Sequence, residues 1–291
     1  MLNLGLIGDI ELLEPFAHKI HEHPEIHIAG KSSVGMNADS GSFRFSIPEF
    51  NRIELIERSD ALLINRFSLL PFPMLRDIIK KSKHIFAVEY PDLPPEECRQ
   101  LAKLATEAKT VVRITNPFFF LPAVQWLKRY LKNPAYMDIS FFKPGNEGPG
   151  ELMPLLMMLT GFFPEMPRRI VAVSFHSSPV ATEFTNARLE MGDASAVNIH
   201  FGKAGVEEVF KMNAWSTGQV IALDFSAGYF SCNGTPVHHD FAPGGDEFDL
   251  FVKQISGKNS CASGLEDYIT ALQILQKIQD RLGQFSSSRS L

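Results

Sequence analysis

The stretch AVEYPDLPPEE, residues 87–97, sets Glu89, Tyr90 and Pro91 in succession where an apolar run gives way to a helix start. A strand that ends on a glutamate against a proline is a common setting for chemistry. The Tyr90 phenol can donate a proton in principle. Its reference pKa near 10 demands strong tuning for that work near neutral pH. The other reading is an aromatic packed at a strand end. INRF, residues 64–67, closes another strand, where Asn65 and Arg66 could meet a polar ligand or lie in a solvated loop. PVHHD, residues 236–240, brings His238, His239 and Asp240 together. Neighbouring strand side chains point to opposite faces, so only His238 and Asp240 could share a ligand. No third partner is identifiable, and a metal site is not expected. His176 and His200 fall in strands and are expected on a sheet face; His21 and His23 belong at a helix end.

These groups need elements to hold them. LNLGLIG, EIHIAGKSS, DALLINR, KHIFAVE and KTVVRIT read as strands. Between them lie helical patterns: ELLEPFAHKIHEH, PEFNRIELIERS with Pro48 near its first turn, PFPMLRDIIKKS, and PPEECRQLAKLATEA. Strands separated by helices imply βαβ crossovers and a parallel, doubly wound sheet. A glycine- and serine-rich loop covers roughly 35–46. FLPAVQWLKRYLK reads as a connecting helix. From about residue 135, RRIVAVSFH, TEFTNARLEM, SAVNIHFG, EEVFKMNAW, QVIALDFSAG and YFSCNGTPVHH follow as extended runs without helices, which implies an antiparallel sheet. Asn233-Gly234 is a two-residue hairpin signal. GLEDYITALQILQKIQDRL closes the chain as an amphipathic helix with Leu265, Tyr268, Ile269, Leu272, Leu275 and Ile278 on one stripe. The fold class is therefore α/β: a Rossmann-like doubly wound sheet over 1–117, then an α+β domain over 118–291 with an open antiparallel sheet and a returning helix.

The 291 residues suffice for two cores. A net charge of −5 and a pI near 6.0 give no nucleic-acid footprint. Lys80, Lys81 and Lys83 sit at a helix end, where cations suit the dipole. MLNLGLIGDIELL reads as a buried first strand and not a signal peptide. ELMPLLMMLTGFF is too short to span a bilayer. Cys98, Cys232 and Cys261 are odd in number and far apart, so neither a disulfide framework nor a metal knuckle is expected, and a cytoplasmic location follows.

This order of elements resembles the glucose-fructose oxidoreductase / inositol dehydrogenase (Gfo/Idh/MocA) family. LNLGLIG, KHIFAVEYPDLPPEECRQLAKLA and FVKQISGKNSCASGLEDYITALQILQKI carry the resemblance. It implies a dinucleotide-binding domain, an open-faced sheet through which such proteins often dimerise, and NAD(P)-dependent hydride transfer on sugars, inositols and related alcohols.

The implied positions are altered. The phosphate fingerprint wants Gly-x-Gly-x-x-Gly after the first strand. Here GDIELL keeps Gly8 but sets Ile10 where backbone must approach a pyrophosphate, and Leu13 where a small residue should sit. Asp9 and Glu11 add charge that opposes an anion. The ribose acid is replaced at about Ser33, with Lys31 near, a pair that could suit the 2′-phosphate of NADP or lie in a surface loop. Tyr90 stands in place of the family lysine between Glu89 and Pro91. Asn65 falls at the strand end that borders the nicotinamide. NEGPGELMPLLMMLTGF lacks the family's Asp/His pair, with Pro154, Met157 and Met158 in those positions and Glu151 as its helix carboxylate.

Four positions altered together imply a divergent member that is a non-catalytic ligand-binding or partner subunit. No cofactor is expected on that reading; a partner is, either a second copy through the sheet or another protein, with a sugar-like ligand. The alternative is an active oxidoreductase on a sugar- or polyol-like substrate, with Tyr90 as acid, Gly8, Asp9, Ile10, Ser33, Asn65 and Glu89 around the cofactor, and NAD or NADP bound.

Overall fold

The computed structural model describes residues 1–9, 13, 16, 20, 21, 23–33, 46–131, 133–144, 149–177, 182–203, 207–237, 247–257 and 264–287. Ile10, the 35–45 loop, His238, His239, Asp240 and Cys261 lie outside them. Two compact units emerge: Met1–Thr115 with Gly245–Ile269, and Asn116–Gly244 with Thr270–Leu291.

The first unit is built on a five-stranded parallel sheet, β1 (Leu2–Gly8), β2 (Ile26–Ser33), β3 (Ala61–Ile64), β4 (His84–Ala87) and β5 (Val112–Ile114), ordered β2-β1-β3-β4-β5. Every residue of β3 is buried, as expected of a central parallel strand. Helix Pro95–Ala108 buries Cys98, Leu101, Ala102 and Ala105, an i, i+3, i+4, i+7 stripe, and stops at Lys109 in the left-handed region (φ 53°).

Pro48 does not open a helix. The helix runs Arg52–Arg58, and the Asn51 side chain accepts from the Glu54 amide at 2.9 Å. Pro48 instead lies in an extended stretch whose carbonyl takes the Lys31 amide at 2.9 Å. A side-chain oxygen at residue 51 offers a cap that proline has no group to supply.

Helix Glu247–Ile255 corrects the expectation that everything after residue 117 belongs to the second unit. Phe248, Phe251 and Val252 join Leu4, Leu6, Ala61, Leu63 and Phe86 in one core cluster. The Phe86 ring stands 5.9 Å from Phe248 and 5.5 Å from Phe251, both edge-on. Burying these rings outweighs chain order as an assembly rule.

The second unit holds eight strands: β6 (Tyr136–Phe142), β7 (Arg169–Ser177), β8 (Thr182–Glu190), β9 (Ala196–Lys203), β10 (Val209–Ser216), β11 (Gln219–Asp224), β12 (Tyr229–Cys232) and β13 (Thr235–Pro236). Their order is β13-β12-β11-β10-β6-β9-β8-β7. The sheet is antiparallel except for β6 beside β9, which run parallel, a departure from the all-antiparallel expectation. The chain builds the β7–β8–β9 meander before returning to β6, so the joining pair inherits one direction. Residues alternate between faces: Met137, Ile139 and Phe141 of β6, Val197, Ile199 and Phe201 of β9, and Phe210, Met212 and Ala214 of β10 are buried. Phe118 stacks on Phe210 at 5.0 Å and meets Phe141 edge-on at 5.6 Å. Asn233 (φ 50°) and Gly234 (φ 77°) form the tight turn between β12 and β13, with Cys232 opposite Thr235.

Helix Leu265–Ser287 buries Leu265, Tyr268, Ala271, Ile274, Leu275 and Ile278. Ile269 and Leu272 are half-buried, so the buried stripe is rotated from the expected one. None of the helices among the described residues is long and apolar enough to cross a membrane.

Candidate functional site

In a parallel sheet all strands end at the same edge, and ligands gather where the strand order reverses. Here that point lies between β1 and β3 of the first unit. The edge brings together Gly8 from β1, Asn65 after β3, and Glu89 and Tyr90 after β4. Two backbone bonds tie these strand ends: the Asn65 amide donates to the Ile7 carbonyl (3.1 Å) and the Glu89 amide donates to the Asn65 carbonyl (3.0 Å); Ser33 is the register partner of Gly8.

Gly8 has φ +134°, a region that L side chains avoid, and a Cβ there would collide with the Asn65 side chain. Asn65 is only 2% exposed. Its Oδ1 accepts the Asp9 amide at 2.5 Å. The Asp9 carbonyl in turn accepts the Leu13 amide at 3.1 Å. The backbone donor that a helix start would offer to an anion is thus given to a neighbouring carboxamide. Asn65 Nδ2 is buried and has no acceptor among the described residues.

Outside Asn65 the rim is tied by charge. Arg66 Nε donates to Glu89 Oε2 at 2.6 Å. Glu89, with Asp92 and Asp9 further off, raises the Arg66 pKa. The Ser68 amide (3.0 Å) and hydroxyl both donate to Asp92. Burial pushes the Asp92 carboxyl up, but the bonds from Ser68 prevail and hold it below the usual range. Asn65 and Arg66 are therefore not a solvated loop pair: one is buried, the other bridges two strand ends.

Tyr90 lies parallel to Tyr268, with ring centroids 6.2 Å apart and 12° between planes. Tyr268 Oη donates to the Pro91 carbonyl at 2.7 Å, which fixes the turn after Tyr90. The Tyr90 hydroxyl is buried without a partner among the described residues. Burial first, then the Glu247 carboxylate and Tyr268, push its pKa far above the ordinary phenol value. Burial, then Cys98 and Asp92, push Tyr268 up to about 12. A phenol so shifted is a poor proton donor near neutral pH.

Beneath this edge is a polar group that reading the sequence missed. Arg113 of β5 is fully buried, its Nη1 donates to Gln254 Oε1 at 3.2 Å, and its Nε lies 4.0 Å from Glu247 Oε1. Thr115 Oγ1 donates to Glu247 Oε2 at 3.1 Å. The signal was the lone arginine inside the apolar run VVRIT.

In the second unit, the helix Met153–Thr160 buries Met153, Leu155, Leu156, Met157, Met158, Leu159 and Thr160. Thr160 Oγ1 donates to the Met157 carbonyl at 2.8 Å, and Asn116 Nδ2 donates to it at 2.7 Å. Glu151 pairs with Lys143 at 3.6 Å in the 3₁₀ turn before this helix. The helix carries no group able to move a proton. His200 lies on the outer sheet face, with Nε2 3.2 Å from Asp138 Oδ2 and Nδ1 3.2 Å from Asn186 Nδ2. Among the described residues no three His, Cys, Asp or Glu side chains gather as metal ligands.

A Rossmann-like parallel sheet in one unit and an open mixed sheet in the other make a fold of the Gfo/Idh/MocA type. Solved structures agree over nearly the full length. The chain is similar to UDP-N-acetylglucosamine 3-dehydrogenase GnnA from Acidithiobacillus ferrooxidans, with 16% identity, 98% of each chain covered and a TM-score of 0.75. It is also similar to a dehydrogenase from Chromobacterium violaceum, with 13% identity, coverage of 100% and 98%, and a TM-score of 0.79. Biliverdin reductase from Synechocystis sp. PCC 6803, solved with biliverdin and NADP+, gives 15% identity, coverage of 97% and 99%, and a TM-score of 0.69. No family model matches the chain, and no curated protein matches it in sequence.

A dinucleotide is the cofactor that this fold implies, and the residues at the sheet edge do not fit one. Asn65 stands against Gly8 and takes the Asp9 amide, and the adjoining Asp9 carboxylate is exposed, a charge that opposes an anion.

Proposed function

We propose that this chain is a divergent protein of the oxidoreductase fold that does not carry out NAD(P)-dependent hydride transfer and acts as a ligand-binding or partner subunit. The observation that carries the reading is the Asn65 carboxamide, which engages the Asp9 amide against Gly8 at the strand-order switch. Three further features support it. Tyr90, in the lysine position, has a buried hydroxyl and a raised pKa. Glu89 is committed to Arg66. The helix Met153–Thr160 offers only Thr160 and apolar side chains where general-base groups would be needed.

A second reading, an active oxidoreductase with NAD or NADP and Tyr90 as acid, draws on the neighbours: one was solved with NADP+, another, GenD2 from gentamicin A biosynthesis, with NAD. It requires Asn65 to leave Gly8 and the raised Tyr90 phenol pKa to fall toward neutrality.

Thermal-shift titration with NAD, NADH, NADP and NADPH decides between them. A ligand that binds only the folded chain raises Tm with concentration. The first reading expects no shift with any of the four. A saturable shift would overturn the first, and polyol-dependent reduction of NAD or NADP that is lost on Tyr90→Phe would establish the second.

The partner surface proposed is the outer face of the second-unit sheet, with a second copy of the chain as occupant. Val173, Phe175, Val220 and Tyr229 are large, exposed hydrophobics on that face. A cytoplasmic location goes with this reading, supported by Cys98 and Cys232, both free thiols.

A further inference from the structure

We infer that the second unit carries a binding site for a small phosphorylated molecule, where the start of β7 meets the helix Leu265–Ser287. A pocket of about 330 Å³ is lined there by Pro167, Arg168, Arg169, Ile170, Lys277, Asp280 and Arg281. The site uses none of the residues of the parallel-sheet edge and goes beyond the reading given above.

Charge makes the case. Arg168, Arg169, Lys277 and Arg281 bring four cations to one concavity, on a chain of net charge −5. Lys277 and Arg281 are i, i+4 neighbours on one helix face, an arrangement that costs stability when the charges are alike. Asp280 lines the pocket, and Glu190 Oε2 lies 3.7 Å from Arg169 Nη1. Glu190 is shared, because its Oε1 also accepts from Arg188 Nε at 3.0 Å. Among the described residues Arg168 and Lys277 have no carboxylate partner of their own. An excess of positive charge held in a concave site, at a cost to the helix, is what an anion would relieve.

The shape selects the anion. Arginine offers a planar fork of donors that matches phosphate oxygens, and here two arginines come from the strand side and one from the helix side. The pocket is local, with Pro167 and Ile170 as its apolar lining. It is not a basic stripe, and the acidic chain as a whole repels nucleic acid. A mono- or diphosphate group on a small molecule fits both the volume and the donor set.

The test is calorimetric titration of the full chain with inorganic pyrophosphate at low salt, with sodium chloride of equal ionic strength as the control. Saturable binding is expected, with a rise in Tm above the control. Arg168→Ala/Lys277→Ala removes two exposed cations without touching a core and should weaken binding about tenfold or more. Asp280→Asn removes the opposing carboxylate and should tighten it. Absence of binding by the wild-type chain, or undiminished binding by the double variant, overturns the proposal. So does co-sedimentation with phosphatidylcholine–phosphatidylserine vesicles in the absence of pyrophosphate binding, which would make the patch a membrane contact. The double variant also separates this site from the parallel-sheet edge: a shift with NADP that survives in it cannot come from this pocket.

Discussion

Replacing Arg113 by methionine tests how the helix Glu247–Ile255 is held. Arg113 is fully buried and Glu247 is 9% exposed, with 4.0 Å between Nε and Oε1. At an effective dielectric near 20, unit charges at that distance attract by about 4 kcal/mol. Removing one partner of a buried pair leaves a desolvated charge and costs about 3–5 kcal/mol. Thr115 still donates to Glu247 in the variant, which places the expected loss near the lower end, about 3 kcal/mol. Glu247→Gln should cost a comparable amount. The neutral double variant should lose less than the two single losses added together, by about 2 kcal/mol or more, because neither charge is then stranded. Trp126 and Trp215, the chain's two tryptophans, both lie in the second unit, so fluorescence would report the wrong part of the molecule. Native-state hydrogen exchange on peptides covering β5 and residues 247–255 reads the right one. Single losses under about 1 kcal/mol, or strict additivity, would refute the coupling and leave the apolar packing of Phe248, Phe251 and Val252 as the main anchor.

Tyr90→Phe removes a buried hydroxyl that has no partner among the described residues, so it should leave stability unchanged or raise it by about 1 kcal/mol in urea unfolding. A loss of 2 kcal/mol or more would reveal a partner for that oxygen. His84 Nδ1 accepts the Val111 amide at 3.0 Å, and burial lowers its pKa despite Asp60 nearby. A depressed folded-state pKa favours the neutral ring, so this contribution is full above the unfolded value near 6.5 and fades as pH falls below it. His84→Gln should therefore flatten the stability curve between about pH 7 and pH 5, measured by urea midpoints. Phe175→Lys together with Val173→Lys should convert a dimer to a monomer in light scattering if the outer sheet face is the self-association surface; an unchanged mass would remove that proposal.

Much of the architecture could be read from local pattern alone. Apolar runs of strand length between helical stripes specify a parallel sheet, and Asn233-Gly234 specifies a hairpin, because both depend on neighbours within one turn or one strand. The same holds for the single glycine of GDIELL and for the tyrosine between Glu89 and Pro91. These are matters of residue identity, and identity needs no fold. Tertiary structure decided the rest. That Asn65 turns its carboxamide onto the Asp9 amide depends on β1 and β3 lying side by side, 56 residues apart in the chain. That residues 245–269 return to the first unit depends on which surface could bury Phe248 and Phe251. That Arg168 and Lys277 share a pocket depends on a strand and a helix more than 100 residues apart. A sequence pattern reports which face of an element is apolar; which other element that face meets is settled only when all of them compete for the same buried volume.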